Sequence, residues 1–265
     1  MYPTTYHKAT TIEDAVAALS ATDEAMVLAG GQTLLPTMKQ HLAAPSALVD
    51  IRGIPELGGI RVEGSTVTIG AATTHAEVAG HKGVQETIPA LACLAAGIGD
   101  PAVRHVGTIG GSLANNDPAA DYPAAVLGLG ATVVTNAREI AADDFFEGMF
   151  ATALDEGEII TAVRFEAPKR AAYMKFRNPA SRYAIVGVFV AETEGGARVA
   201  VTGAGADGVF RHSGMEEALA AGFAPEAIDG CEVGEADMAF DIHASAAYRA
   251  HLVKVMARRA IAGAS

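Results

Sequence analysis

Two glycine-rich turns about eighty residues apart constrain this chain more than any other feature. The first, Ala29-Gly30-Gly31-Gln32-Thr33-Leu34-Leu35-Pro36, follows directly on the apolar run Met26-Val27-Leu28. The second, Thr108-Ile109-Gly110-Gly111-Ser112, leads into Leu113-Ala114-Asn115-Asn116-Asp117-Pro118-Ala119-Ala120-Asp121. Glycine lets the backbone turn tightly and lets a ligand approach the main chain without meeting a Cβ. Consecutive N–H groups in such a turn form a concave anion site, which Ser or Thr hydroxyls reinforce. Two such turns can clasp the two anionic groups of a diphosphate from opposite sides. The pattern therefore points to a dinucleotide.

Composition removes several alternatives. At 265 residues and 50% hydrophobic content the chain can bury a sizeable core in two lobes or domains. A net charge of -12 argues against nucleic acid and against an anionic membrane face, because both need Lys and Arg. The longest apolar stretches, Ala90 to Ile98 and Ala124 to Val134, are shorter than the ~20 residues of a spanning helix or are broken by glycine. Met1 to Lys8 has no apolar h-region, so a cytoplasmic protein is expected. An iron–sulfur cluster takes about four cysteines, and only Cys93 and Cys231 are present. Cys93 lies in an apolar helical pattern and is expected to be a buried thiol. The eight histidines show no metal-ligand spacing, and there is no GxSxG elbow. No metal site and no catalytic side chain is expected.

Local patterns divide the chain. Thr11 is a candidate cap for a helix over Ile12 to Leu19, and Met26 to Ala29 and Ala47 to Ile51 read as strands. They suggest a small α/β lobe ending near residue 55. A second lobe follows, with hairpins at Gly59 to Gly70 and Ala131 to Ile140, helices at Thr74 to Gly80 and Val84 to Ala96, and a closing strand from Glu158 to Phe165. Asp117 fits a helix cap before Pro118. Beyond Pro168 the text changes to three strands, Tyr173 to Phe176, Ala184 to Glu192 and Arg198 to Gly203, and two helices, Ser213 to Ala221 and His243 to Ile261. The fold class is α+β.

Gly203-Ala204-Gly205-Ala206-Asp207-Gly208 matches GxGxxG after a strand. A dinucleotide fingerprint needs a following helix and then a second strand ending in an acidic residue. The region around Gly222 to Glu226 offers no such strand, so this motif reads as a strand-to-helix turn.

The segments Ala29 to Pro36 and Gly107 to Pro123 closely resemble the two flavin-binding signatures of the medium subunit of aerobic-type carbon monoxide dehydrogenases. That subunit belongs to the molybdenum hydroxylases, with the flavin part of xanthine dehydrogenase. The resemblance runs over nearly the whole chain, through Glu158-Ile159-Ile160 and Lys175-Phe176-Arg177-Asn178-Pro179-Ala180-Ser181-Arg182-Tyr183-Ala184. It implies a two-lobed FAD-binding domain of the PCMH type over residues 1–167, with lobes of about 1–55 and 56–167. A C-terminal domain of the carbon monoxide dehydrogenase type follows over 168–265, an antiparallel three-stranded sheet with helices.

The resemblance implies FAD contacts at Ala29, Gly30, Gly31, Gln32, Thr33 and Leu34 in the first turn and at Thr108, Ile109, Gly110, Gly111 and Ser112 in the second. Asp121 is expected to accept from flavin hydroxyls, Lys175 to lie near the flavin ring, and Ile160 to pack its backbone against it. It further implies partners: a large subunit with the molybdenum cofactor and a small one with two [2Fe-2S] clusters, arranged as a dimer of heterotrimers. FAD in this chain would pass electrons from the clusters to a terminal acceptor. A self-contained FAD-dependent oxidoreductase, or a scaffold subunit that has lost flavin, are the other readings. The first needs a substrate-binding cap larger than the last hundred residues, and the second does not explain two intact glycine turns.

Overall fold

In the computed structural model, which describes all 265 residues, each glycine turn opens a helix. Strand β1 (Thr5–Lys8), helix α1 (Ile12–Ser20), strand β2 (Met26–Leu28), helix α2 (Leu34–Lys39) and strand β3 (Ala47–Asp50) build the first lobe. The strands are parallel with β3 in the middle, as helical crossovers require. Thr11 caps α1, its side chain accepting the Asp14 N–H. Ala15 of α1, Val49, Ile51 and Ala29 form the lobe's small core, which Ile159 of the second lobe completes.

The second lobe is a five-stranded antiparallel sheet in the order β4 (Ile60–Glu63), β5 (Thr66–Gly70), β10 (Ile160–Glu166), β6 (Thr132–Thr135), β7 (Glu139–Ala141). Strand β10, expected to close the lobe, is its centre, and Val163 and Phe165 lie fully buried among Val67, Ile69 and Val133. Between β5 and β6 run α3 (His75–Gly80), α4 (Lys82–Thr87), α5 (Pro89–Ala96), α6 (Pro101–Arg104), α7 (Ile109–Asn115) and α8 (Tyr122–Leu129). The single helix expected over Val84 to Ala96 is two, because Pro89 lacks an N–H and disfavours helical backbone at Ile88. After β7 come α9 (Ala142–Phe145) and a short hairpin of β8 (Phe146–Gly148) and β9 (Ala151–Thr152).

The C-terminal sheet has four strands where three were expected: β11 (Arg170–Arg177), β12 (Ala184–Thr193), β13 (Gly196–Thr202) and the two-residue β14 (Phe210–Arg211). Alternation along β12 serves two cores. Phe189 and Ala191 join the second lobe's core, while Val186, Val188 and Val190 pack under α10 (Ser213–Ala221) and α11 (Ala246–Gly263). Helix α8, buried at every residue, is pressed between the two sheets. Gly128 permits this, since a Cβ there would lie 2.7 Å from Phe189 Cδ1.

Three expectations are corrected here. Cys93 is exposed: Leu91, Ala92, Leu94 and Ala95 take the buried side of α5, and the helical turn carries Cys93 to the other. Gly203 to Gly208 links strand β13 to strand β14, not a strand to a helix. Asp117 does not cap α8; its Oδ1 accepts the Ala119 N–H at 2.8 Å. No helix is long and apolar enough to cross a membrane.

Candidate functional site

The fold brings the two glycine turns into contact. A Cβ at Gly30 would collide with the Val106 carbonyl oxygen and lie 2.6 Å from Gly107 Cα. At Gly110 it would lie 2.6 Å from the Ala71 Cβ and 2.8 Å from the Ala71 oxygen. Gly31 adopts φ +66, a left-handed conformation that lets the chain reverse after β2. Only glycine lets these backbones approach so closely.

The amides of the two turns have different fates. In the second, Ile109 N–H donates to Thr73 O, Gly110 N–H to Ala71 O, Gly111 N–H to the Thr108 hydroxyl and Ser112 N–H to Thr108 O. In the first, the N–H groups of Gly30, Gly31, Gln32 and Thr33 donate to no group of the chain. Thr33 stands at the start of α2 without a side-chain capping bond. Four successive free donors and a hydroxyl are what an anion cradle requires. The second turn backs it, the missing Cβ of Gly111 facing the Ala29 Cβ at 3.7 Å, and Ser112 is half-buried. Ala29, Ile109 and Ile160 are buried in the cores, and Leu34 packs toward Leu28 and Met38.

Asp121 and Lys175 meet although 54 residues separate them. Lys175 Nζ lies 2.9 Å from Asp121 Oδ1 and donates to the Gly97 carbonyl at 3.0 Å. Each side chain is only 4% exposed. The Tyr173 hydroxyl donates to Asp121 Oδ1 at 2.5 Å. Burial pushes the Asp121 carboxyl up, against the opposing pull of Lys175 and Tyr173. Burial, then the Asp121 charge, pushes Tyr173 well above its ordinary value. Sequence reasoning missed Tyr173. Its signal is the two-residue spacing to Lys175 on one strand face, with Gly187 across the ladder leaving room for the hydroxyl.

His75 and Tyr122 stand behind the second turn with ring centroids 5.4 Å apart, and His75 Nδ1 and Tyr122 Oη have no partner. Burial, helped by the Arg104 charge, holds the His75 imidazole down at about 4. A histidine depressed in the folded state opposes folding once the unfolded chain takes up its proton. Stability is therefore present above the ordinary histidine range and lost as pH falls from about 6.5 to about 4, by about 3 kcal/mol. Urea unfolding at pH 7 and pH 4.5 is expected to show this slope, and His75→Gln to flatten it.

Two cavities lie between the lobes. The larger, about 670 Å³, is lined by Glu13 and Glu56 without a cation and contains none of the residues above. Its charge is wrong for a diphosphate. The smaller, about 450 Å³, runs from Arg52 past Thr73 and Thr74 to Val106 and Thr108 of the second turn. No cluster of side chains here is suited to hold a metal ion. The free amides and the buried lysine fit a flavin dinucleotide, whose diphosphate can be held by backbone N–H donors at close range.

Comparison with known proteins agrees with this geometry. The family described as the FAD binding domain in molybdopterin dehydrogenase matches residues 2–168. The carbon monoxide dehydrogenase medium chain of Afipia carboxidovorans is 36% identical over 97% of this chain and 94% of its own. The nicotine 6-hydroxylase medium subunit of Paenarthrobacter nicotinovorans is 33% identical over 97% of this chain and 95% of its own. Among solved structures, carbon monoxide dehydrogenase from Hydrogenophaga pseudoflava superposes with a TM-score of 0.92 at 35% identity, covering 98% of this chain and 96% of that one. Quinoline 2-oxidoreductase from Pseudomonas putida 86 gives 0.86 at 28% identity, covering 99% and 97%. The chain belongs to the FAD-binding family of the molybdopterin dehydrogenases.

Proposed function

We propose that this chain is the FAD-carrying subunit of a heteromeric molybdenum hydroxylase, an oxidoreductase. A small partner would deliver electrons from [2Fe-2S] clusters, and a large partner with the molybdenum cofactor would oxidise the substrate. The observation that carries the reading is the row of unspent amides from Gly30 to Thr33, wedged against the second glycine turn. FAD supplies one- and two-electron chemistry, and the protein supplies binding, orientation and charge.

The N–H groups of Gly30, Gly31, Gln32 and Thr33, with the hydroxyls of Thr33 and Ser112, would hold the diphosphate. Gly111 keeps the wall free of a side chain toward Ala29, and Gly110 lets the turn close on Ala71. Lys175, held by Asp121 and the Gly97 carbonyl, would stand at the ring end as a positioned N–H donor whose charge Asp121 balances. No side chain is asked to act as nucleophile or general base. The medium-chain and FAD-subunit relatives support separate partners, and we propose a dimer of heterotrimers in the cytoplasm. We also propose a division at residues 167/168, where β10 of one sheet gives way to β11 of the next.

Titrating flavin-free chain with FAD tests the cradle. One FAD is expected per chain, with FMN, which lacks the second phosphate, binding at least about tenfold weaker, or about 1.4 kcal/mol. Equal affinity for FMN and FAD would remove the glycine turn from the site.

A further inference from the structure

The acidic chain pairs most of its cations. Twelve of its nineteen lysines and arginines lie within 4 Å of a carboxylate. Of the seven that do not, Arg104 and Arg182 meet at one turn, Gly97-Ile98-Gly99, at the end of α5.

The geometry there is specific. Arg104 Nη1 donates to Ile98 O at 2.8 Å and to Gly99 O at 3.1 Å. Arg182 Nη1 reaches the same Gly99 oxygen at 3.4 Å from the far side of the β11–β12 hairpin. Two guanidinium groups thus converge on one carbonyl with no carboxylate between them. The hairpin that carries Arg182 is held rigid. Asn178 Oδ1 accepts from Ala180 and Ser181, and its backbone exchanges bonds with Tyr183 and Arg182. Lys175 holds Gly97 from below, but its charge is already answered by Asp121. Asp100 and Asp117, carboxylates of these loops, make no ion pair with either arginine. Each spends an oxygen on a backbone N–H, of Val103 and Ala119 respectively.

Like charges brought together without a counter-ion repel, and the arrangement is relieved by an anion. Guanidinium forks match the oxygens of phosphate or carboxylate, and two guanidinium charges without an ion-pair partner suit a dianion better than a single carboxylate. We propose that the Gly99 turn is an anion site in which Arg104 and Arg182 take the phosphate group of a small molecule. The site's existence is independent of the flavin. Its use, admitting a phosphate-bearing molecule beside Lys175 and the flavin ring, rests on the function proposed above.

Calorimetric titration with inorganic pyrophosphate tests it, on flavin-loaded chain in which FAD fills the Gly30 cradle. One saturable site is expected, weakened at least fivefold by Arg182→Gln and abolished in the Arg104→Gln/Arg182→Gln double variant. Arg259→Gln should leave it unchanged, and succinate should bind at least tenfold weaker. Arg182 is exposed, so its single variant keeps the test valid if loss of Arg104 disturbs the turn. Absence of saturable binding, or binding indifferent to Arg182→Gln, would overturn the proposal. If no preparation retains flavin, the flavin reading fails by its own absorbance. The anion site is then judged by the same arginine variants on flavin-free chain, where the cradle contributes a second site that they leave intact.

Discussion

Replacing Gly30 with alanine is expected to strip the protein of FAD and to cost about 1–3 kcal/mol of stability. The added methyl group points at the Val106 carbonyl and at Gly107 Cα, and backbone cannot yield as a flexible side chain can. The two turns must part, and the four donors of the first lose their wall. Gly31→Ala separates the ligand effect from the packing effect. The atoms nearest its Cβ are Leu35 and Leu28 side-chain carbons at 3.0–3.2 Å, so its main penalty is left-handed backbone at φ +66, about 1–2 kcal/mol. Both variants are expected to purify with less than about a tenth of the parent's flavin per chain, a loss of about 1.4 kcal/mol or more in binding. Flavin absorbance per protein and urea unfolding read the two effects independently. Full flavin occupancy in both would mean that the cradle is not the site.

Lys175→Met carries the second large effect. Removing one member of a buried ion pair strands the other, and such changes cost about 3–5 kcal/mol. Here Asp121, with Lys175 gone, keeps only the Tyr173 hydroxyl as donor in a place almost without solvent. Burial already raises its carboxyl, and loss of the lysine raises it further. A carboxyl raised in the folded state gives stability that is present below the ordinary carboxylate range and lost as pH rises through the folded value. The deficit of Lys175→Met relative to the parent is therefore expected to be smaller at pH 5 than at pH 8. The double variant Asp121→Asn/Lys175→Met should be milder than the single, because no unpaired charge remains. A single variant as stable as the parent, with no pH dependence in the difference, would show that the pair is not held as described.

The turns were readable because glycine carries its own signal: Gly30, Gly31 and Gly110 stand where a Cβ has no room or φ is positive. The helix cap at Thr11, the two hairpins of the second lobe and the long strands of the C-terminal sheet were equally local. Strand order was not. Nothing within Ile160 to Glu166 says that β5 and β6 will flank it, since those partners lie far along the chain. That four of the second turn's five amides are spent inside the protein was hidden for the same reason. Ala71 and Thr73, some forty residues earlier, take two of them, and a turn motif does not show what its neighbours will donate or accept. Asp121 and Lys175 came from resemblance rather than from spacing, and the fold supplied their contact and their common partner Tyr173. Cys93 shows the opposite failure, an apolar context that did not fix which side of α5 faces inward.

The central claim, a flavin subunit working with separate molybdenum and iron–sulfur partners, is tested most directly by gentle affinity purification of the tagged chain from its native host, assayed for FAD, iron and molybdenum. The account predicts near-equal FAD and molybdenum, with about four irons per flavin from two [2Fe-2S] clusters, in a complex with two further chains. An active lone chain that carries flavin and neither metal would contradict it.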